Sequence, residues 1–147
     1  MRLPVIALWM ASILSLDVGT KTIGVARAYT DGPQIATPMV TLRRKSVKKD
    51  AAALAVLCQK HRAAAVVVGL PLEEDGTAGR AVRLARQVGD ALGALTGLPI
   101  HYQDERYSTL EASRRLSQQG LSSRQQREII DQAAAAVILE DWLRGQG

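Results

Sequence analysis

The chain predicts an α/β fold, a mixed five-stranded sheet with helices on both faces. Three observations lead there. Short apolar runs alternate with amphipathic helical patterns after residue 46. Three strand-like runs precede that alternation, the first two only a short turn apart. The run at 63–68 is apolar without a break, which suits a strand covered on both faces.

Each element has its own signal. Residues 12–18 and 23–28 are strands joined by Gly19-Thr20-Lys21-Thr22, a hairpin with an uncommon turn. Asp31-Gly32-Pro33 is a turn, and 35–42 a third strand, with Pro38 marking an edge or an interruption. Ser46 caps a helix to about His61, with Val47, Ala51, Leu54 and Leu57 or Cys58 at helical spacing. After the strand at 63–68, Gly69 opens a loop through Thr77. A helix runs to about Leu95 on Val82, Leu84, Ala85, Val88, Ala91 and Leu92. Gly97-Leu98-Pro99 leads to a fifth strand at 100–103. Ser108 with Glu111 fits a capping box, and Gly120 stops that helix. Ser122 with Gln125, or Ser123 with Gln126, starts the last one, striped by Ile129, Ile130, Ala133, Val137, Ile138 and Trp142.

At 147 residues and 47% hydrophobic content, the chain suits one folded domain and excludes disorder. Phe is absent and aromatics total 3%, which argues against a surface that stacks bases on rings. The net charge of +5 favours a polyanionic partner. Arg43, Arg44, Lys45, Lys48 and Lys49 form one cationic cluster, and Arg106, Arg114, Arg115, Arg124 and Arg127 a looser one. The lone Cys58 lies in an apolar helical pattern and reads as core. The expected compartment is the reducing cytoplasm, with no membrane involvement. Residues 1–11 imitate a short signal peptide, but their apolar run continues directly into the first strand. They read as an extension, with Met10 an alternative start, ahead of a single domain over 12–147.

Ligands of such sheets gather beyond the carboxyl ends of the strands. Asp17 ends the first strand, and Asp104-Glu105 closes the fifth. Asp131 sits on the last helix, ahead of four alanines. Side chains alternate along a strand, so only one of Asp104 and Glu105 faces a common cleft; the longer arm favours Glu105. Converging carboxylates repel unless cations intervene, and hard divalent ions prefer such oxygens. Two ions roughly 4 Å apart would suit phosphodiester hydrolysis. Singly, each acid has an ordinary structural reading: Asp17 capping its own turn, Asp104 paired with Arg106, Asp131 with Arg127. Gly69 and Pro71, with Gly19 and Thr20, form loops beside this point.

The motifs from Leu16-Asp17-Val18-Gly19-Thr20-Lys21-Thr22-Ile23-Gly24 through Val67-Val68-Gly69-Leu70-Pro71-Leu72, Asp75-Gly76-Thr77, Asp104-Glu105-Arg106 and Asp131-Gln132-Ala133-Ala134 resemble the YqgF/RuvX family, in its order and across almost all of the chain after Ala11. The resemblance implies an RNase H-like fold and a metal-dependent nuclease, resolvase-like on Holliday junctions or maturing the 5′ end of pre-16S ribosomal RNA. It implies Asp17, Glu105 and Asp131 as catalytic groups. Those residues and Asp104 would bind Mg2+ or Mn2+, as two ions. Glu73-Glu74 and Tyr107-Ser108 depart from the family's usual residues and bear on substrate contacts. Lys21, Arg43, Arg44, Lys45 and Arg106 are the expected phosphate contacts, Arg106 as a bidentate donor. The ribosomal small-subunit precursor is one expected partner. A dimer suits junction cleavage and a monomer suits RNA-end processing. Two other readings compete. Asp-x-Gly-Thr also occurs in the phosphate loop of the actin-like ATPases, which close two domains on a nucleotide. A nucleic-acid- or ribosome-binding protein with weak or lost cleavage is the other.

Overall fold

The computed structural model describes residues 11–72, 78–105 and 108–146. The extension at 1–10, the Asp75-Gly76-Thr77 motif with Glu73-Glu74, and Arg106-Tyr107 lie outside the described residues. In chain order the elements are β1 (Ser12–Val18), β2 (Thr22–Tyr29), β3 (Thr37–Arg43), α1 (Val47–Lys60), β4 (Ala63–Leu70), α2 (Arg80–Thr96), β5 (Ile100–Asp104), α3 (Ser108–Gln118) and α4 (Ser123–Gln146).

The strands form one sheet in the order β3-β2-β1-β4-β5. β1, β2 and β3 pair antiparallel, as short connections permit, whereas β4 and β5 enter parallel to β1 by way of helices. β1 divides its side chains by alternation. Leu14, Leu16 and Val18 join Ile23, Val25, Val66 and Val68 against Leu54, Val82, Val88 and Leu92 of α1 and α2. On the other face Ala26, Ala28 and Val67 pack on Ala135, Ile138 and Leu139 of α4. β4 supplies both cores, as its unbroken apolar run requires. α3 packs on α4 through Ala112, Leu116, Ala133, Ala134 and Val137.

α4 lies unusually close to the sheet. Its buried alanines keep its face thin, and Gly24 of β2 removes the last obstacle. A Cβ at Gly24 would fall 2.0 Å from the Asp131 carbonyl oxygen. Ser15 fixes the contact further along, its hydroxyl donating to the Ala135 carbonyl at 2.6 Å.

Several strand boundaries differ from expectation. β4 runs on through Gly69 and Leu70, so Gly69 pairs with Gln103 inside the strand rather than opening the loop. β3 starts at Thr37 rather than residue 35, since Ile35 is exposed while Ala36 turns into the core. The register slips beside Pro38, where Val25 pairs with Val40 but Ala26 with Pro38, as an edge strand tolerates. β5 extends through Asp104, which pairs with Leu70. The α4 cap is the Ser122–Gln125 pair: Gln125 N donates to Ser122 Oγ at 3.2 Å, and Ser122 N to Gln125 Oε1 at 2.8 Å.

Candidate active site

Asp17 sits near the end of β1, paired with Gly24, on the face that carries α4. Burial raises its carboxyl pKa to about 8, helped by the charges of Glu105 and Asp131 and by a hydrogen bond that the protonated acid donates to Glu105. Three acids from three separate elements therefore act on one point.

Small residues make that convergence possible. A Cβ at Gly69 would stand 2.6 Å from Ile138 Cδ1 and 2.9 Å from Glu105 Cδ. Gly69 is thus the floor on which Glu105 lies, and Glu105 is buried there. Its backbone N–H donates to the Leu70 carbonyl at 3.1 Å, tying it to the end of β4. Asp131 comes down from α4 over Gly24, where its carboxylate accepts a hydrogen bond from the Thr22 hydroxyl. Thr22 was not singled out by its chemistry, although it lies in the motif after Asp17; only the fold shows what it touches.

Asp104 is exposed and is not among the charges that act on Asp17. Pro71 is half-buried next to the Gly69 floor. Gly19 closes the β1–β2 turn, its N–H donating to the Thr22 carbonyl at 2.8 Å, with Thr20 and Lys21 exposed on it.

The cationic cluster divides. Arg44 is only 11% exposed, and its Nε donates to Asp50 Oδ2 at 2.9 Å. Its Nη1 donates to the Gly19 carbonyl at 3.3 Å. Asp50 also accepts from Lys45 N at 2.9 Å. Arg44 is therefore a brace between α1 and the β1–β2 turn, a correction to its expected phosphate contact: the guanidinium is already occupied. Arg43, Lys45 and Lys21 remain exposed. Arg44 N donates to the Lys21 carbonyl at 2.8 Å, so these cations stand beside the turn that follows Asp17. Arg106 lies outside the described residues. In the looser cluster, Arg115 ties α3 to α4 through Glu140 at 2.9 Å, and Arg114 pairs with Glu111.

A β3-β2-β1-β4-β5 mixed sheet with helices on both faces defines an RNase H-like fold. The chain belongs to the RuvX family, whose model, described as a Holliday junction resolvase, matches residues 11–145. Among similar proteins, a "Putative pre-16S rRNA nuclease" of Myxococcus xanthus is 44% identical over 131 residues, covering 88% of this chain and 85% of the relative. One of the same description from Thermosynechococcus vestitus is 39% identical over 134 residues, 91% of this chain and 88% of the relative. Among solved structures, Thermus thermophilus RuvC superposes with a TM-score of 0.57 at 13% identity, covering 92% of this chain and 96% of that one. RuvC bound to a Holliday junction superposes at 0.54 with 19% identity, over 92% and 94% of the two chains. At these identities the structures show a shared fold.

Proposed function

We propose that the chain is a divalent-metal-dependent endonuclease that hydrolyses phosphodiester bonds in structured nucleic acid, foremost the 5′ end of pre-16S ribosomal RNA. The observation that carries this is the convergence of Asp17, Glu105 and Asp131: burial, and then the charges of the other two acids, raise the Asp17 pKa to about 8. Mg2+ or Mn2+ fits the donor set, which is all hard oxygen. Among the described residues no group of three His, Cys, Asp or Glu side chains is placed to hold a metal ion as it stands. In the ion-free geometry a proton between Asp17 and Glu105 relieves the crowding that a cation would relieve otherwise. When bound, two such ions supply an activated water and neutralise the leaving oxygen.

The chain's own residues then divide the work. Asp17 is the central ligand, Glu105 is held beside it by Gly69, and Asp131 is aimed by Thr22 and Gly24. Lys21, Arg43 and Lys45 contact phosphates near the mouth, joined by Arg106, next to Glu105 in sequence. Their contacts are sequence-independent, so specificity comes from substrate shape. The relatives' pre-16S description favours RNA over four-way junctions, and RNA-end processing needs only a monomer. A reducing cytoplasm suits the buried, unpaired Cys58. Residues 12–147 form the working domain in this reading, with 1–11 an extension.

The experiment compares cleavage of a pre-16S 5′ fragment and a four-way DNA junction, with Mg2+ or Mn2+, for the native chain and Asp17→Asn. Metal-dependent cleavage of the RNA, lost in the variant with binding retained, is the expected result. Binding without cleavage of either substrate would refute it.

A further inference from the structure

We infer that a second phosphate-binding site lies at the other end of the sheet, on the face opposite the carboxylates, and holds a backbone phosphate of the nucleic acid. Four basic side chains, Arg27, Lys60, His61 and Arg62, and the Tyr29 ring surround a pocket of about 80 Å3 there. Arg27 pairs in register with Leu14 and so shares the α1 side of the sheet, whereas Asp17 faces α4. The two sites are separated along β1 as well. The pocket adjoins Ser12, whose hydroxyl donates to the His61 carbonyl at 2.6 Å. Asp17 stands five residues further along, roughly 17 Å away at strand rise.

The cluster is built rather than scattered. The Arg27 guanidinium stacks over the Tyr29 ring at 4.6 Å from its centroid, and its Nη1 lies 3.4 Å from His61 Nδ1. That stack holds a planar donor fork in place. Arg62 occupies a left-handed backbone position, φ 52, that favours glycine. The chain thus accepts local strain and gains another cation at the same point. Among the described residues no carboxylate pairs with Arg27, Lys60 or Arg62. Burial, and then the charges of Arg27 and Lys60, push the His61 pKa down. The helix dipole favours Lys60 at the end of α1, but it does not account for Arg27, which comes from β2. A tetrahedral oxyanion suits a pocket lined by two arginines and a lysine. Only the choice of nucleic acid as its source rests on the proposed function. A substrate reaching both sites must pass round the domain, as a long or branched one can.

The test measures binding by the full chain in EDTA and cleavage separately in Mg2+ or Mn2+, with a labelled pre-16S fragment and a four-way junction. Arg62→Gly, Lys60→Gln and the pair are measured for affinity and salt dependence. Arg62→Gly relieves the left-handed strain, so loss of folding does not mask the result. The pair is expected to bind about tenfold more weakly and to lower the log–log salt slope by about one, for the one phosphate that the site holds. Unchanged affinity and slope would overturn the site. Weakened binding of inorganic phosphate, read on the His61 ring by NMR, with nucleic-acid binding intact would overturn nucleic acid as the ligand of this site. If the native chain binds, the pair loses affinity and nothing is cleaved, this site stands and the nuclease reading falls. Cleavage with equal binding by the pair gives the reverse.

Discussion

Asp17 titrates where few carboxyls do, and its setting makes stability depend on pH. An unfolded Asp ionises near 3.8, whereas folded Asp17 keeps its proton up to about 8. Between those values the folded state holds a proton that the unfolded chain has released. Stability of the ion-free protein therefore falls as pH rises through that window. Melting at pH 5 and pH 8 in EDTA should show the fall; Mg2+ should shrink it by favouring the ionised form, and Asp17→Asn should flatten it. An equal fall in Asp17→Asn would show that another group is responsible. The glycine floors give a second prediction. Gly69→Ala puts a methyl against Ile138 and Glu105 and should cost about 1–3 kcal/mol in denaturant melts. Its cleavage rate should drop further than the loss of folded protein explains, because Glu105 is displaced. Gly24→Ala meets the Asp131 backbone rather than a side chain and should be the more damaging. The motifs hold both glycines, but alternation and spacing do not say what a missing Cβ makes room for. The same limit hid Thr22. Alternation did bear on the acids at the end of β5: Asp104 is exposed and Glu105 buried.

Among the elements, α1 and the β1–β2 turn are held together by one buried pair. Asp50 is 5% exposed and takes Arg44 and the Lys45 N–H. Asp50→Ala leaves Arg44 buried without its partner and should cost about 3–5 kcal/mol by chemical denaturation. A loss under about 1 kcal/mol would mean that Arg44 escapes to solvent. Sequence pattern placed every element, since strand runs and helical stripes are local signals. It missed this brace because a run of Arg and Lys reads as solvated charge until burial is known. Two Ser–Gln pairs have the spacing that the α4 cap requires. Ser122 and Gln125 exchange the reciprocal bonds, and Ser122→Ala should lower stability by about 1 kcal/mol.

On the scale of the whole molecule, the acids gather because the topology sends the carboxyl ends of β1 and β5 to one side and lays α4 across them. Their order along the chain was readable; their meeting depended on two glycines and a thin alanine face. That meeting is the core of the proposed nuclease, and Mn2+ binding followed by electron paramagnetic resonance tests it most directly. The native chain at pH 8 should bind Mn2+, and Asp17→Asn, Glu105→Gln and Asp131→Asn should each weaken it by at least about tenfold, the loss of one charged ligand. Asp104→Asn should leave it unchanged. Equal binding by all four variants, or a loss confined to Asp104→Asn, would contradict a metal centre built on Asp17, Glu105 and Asp131.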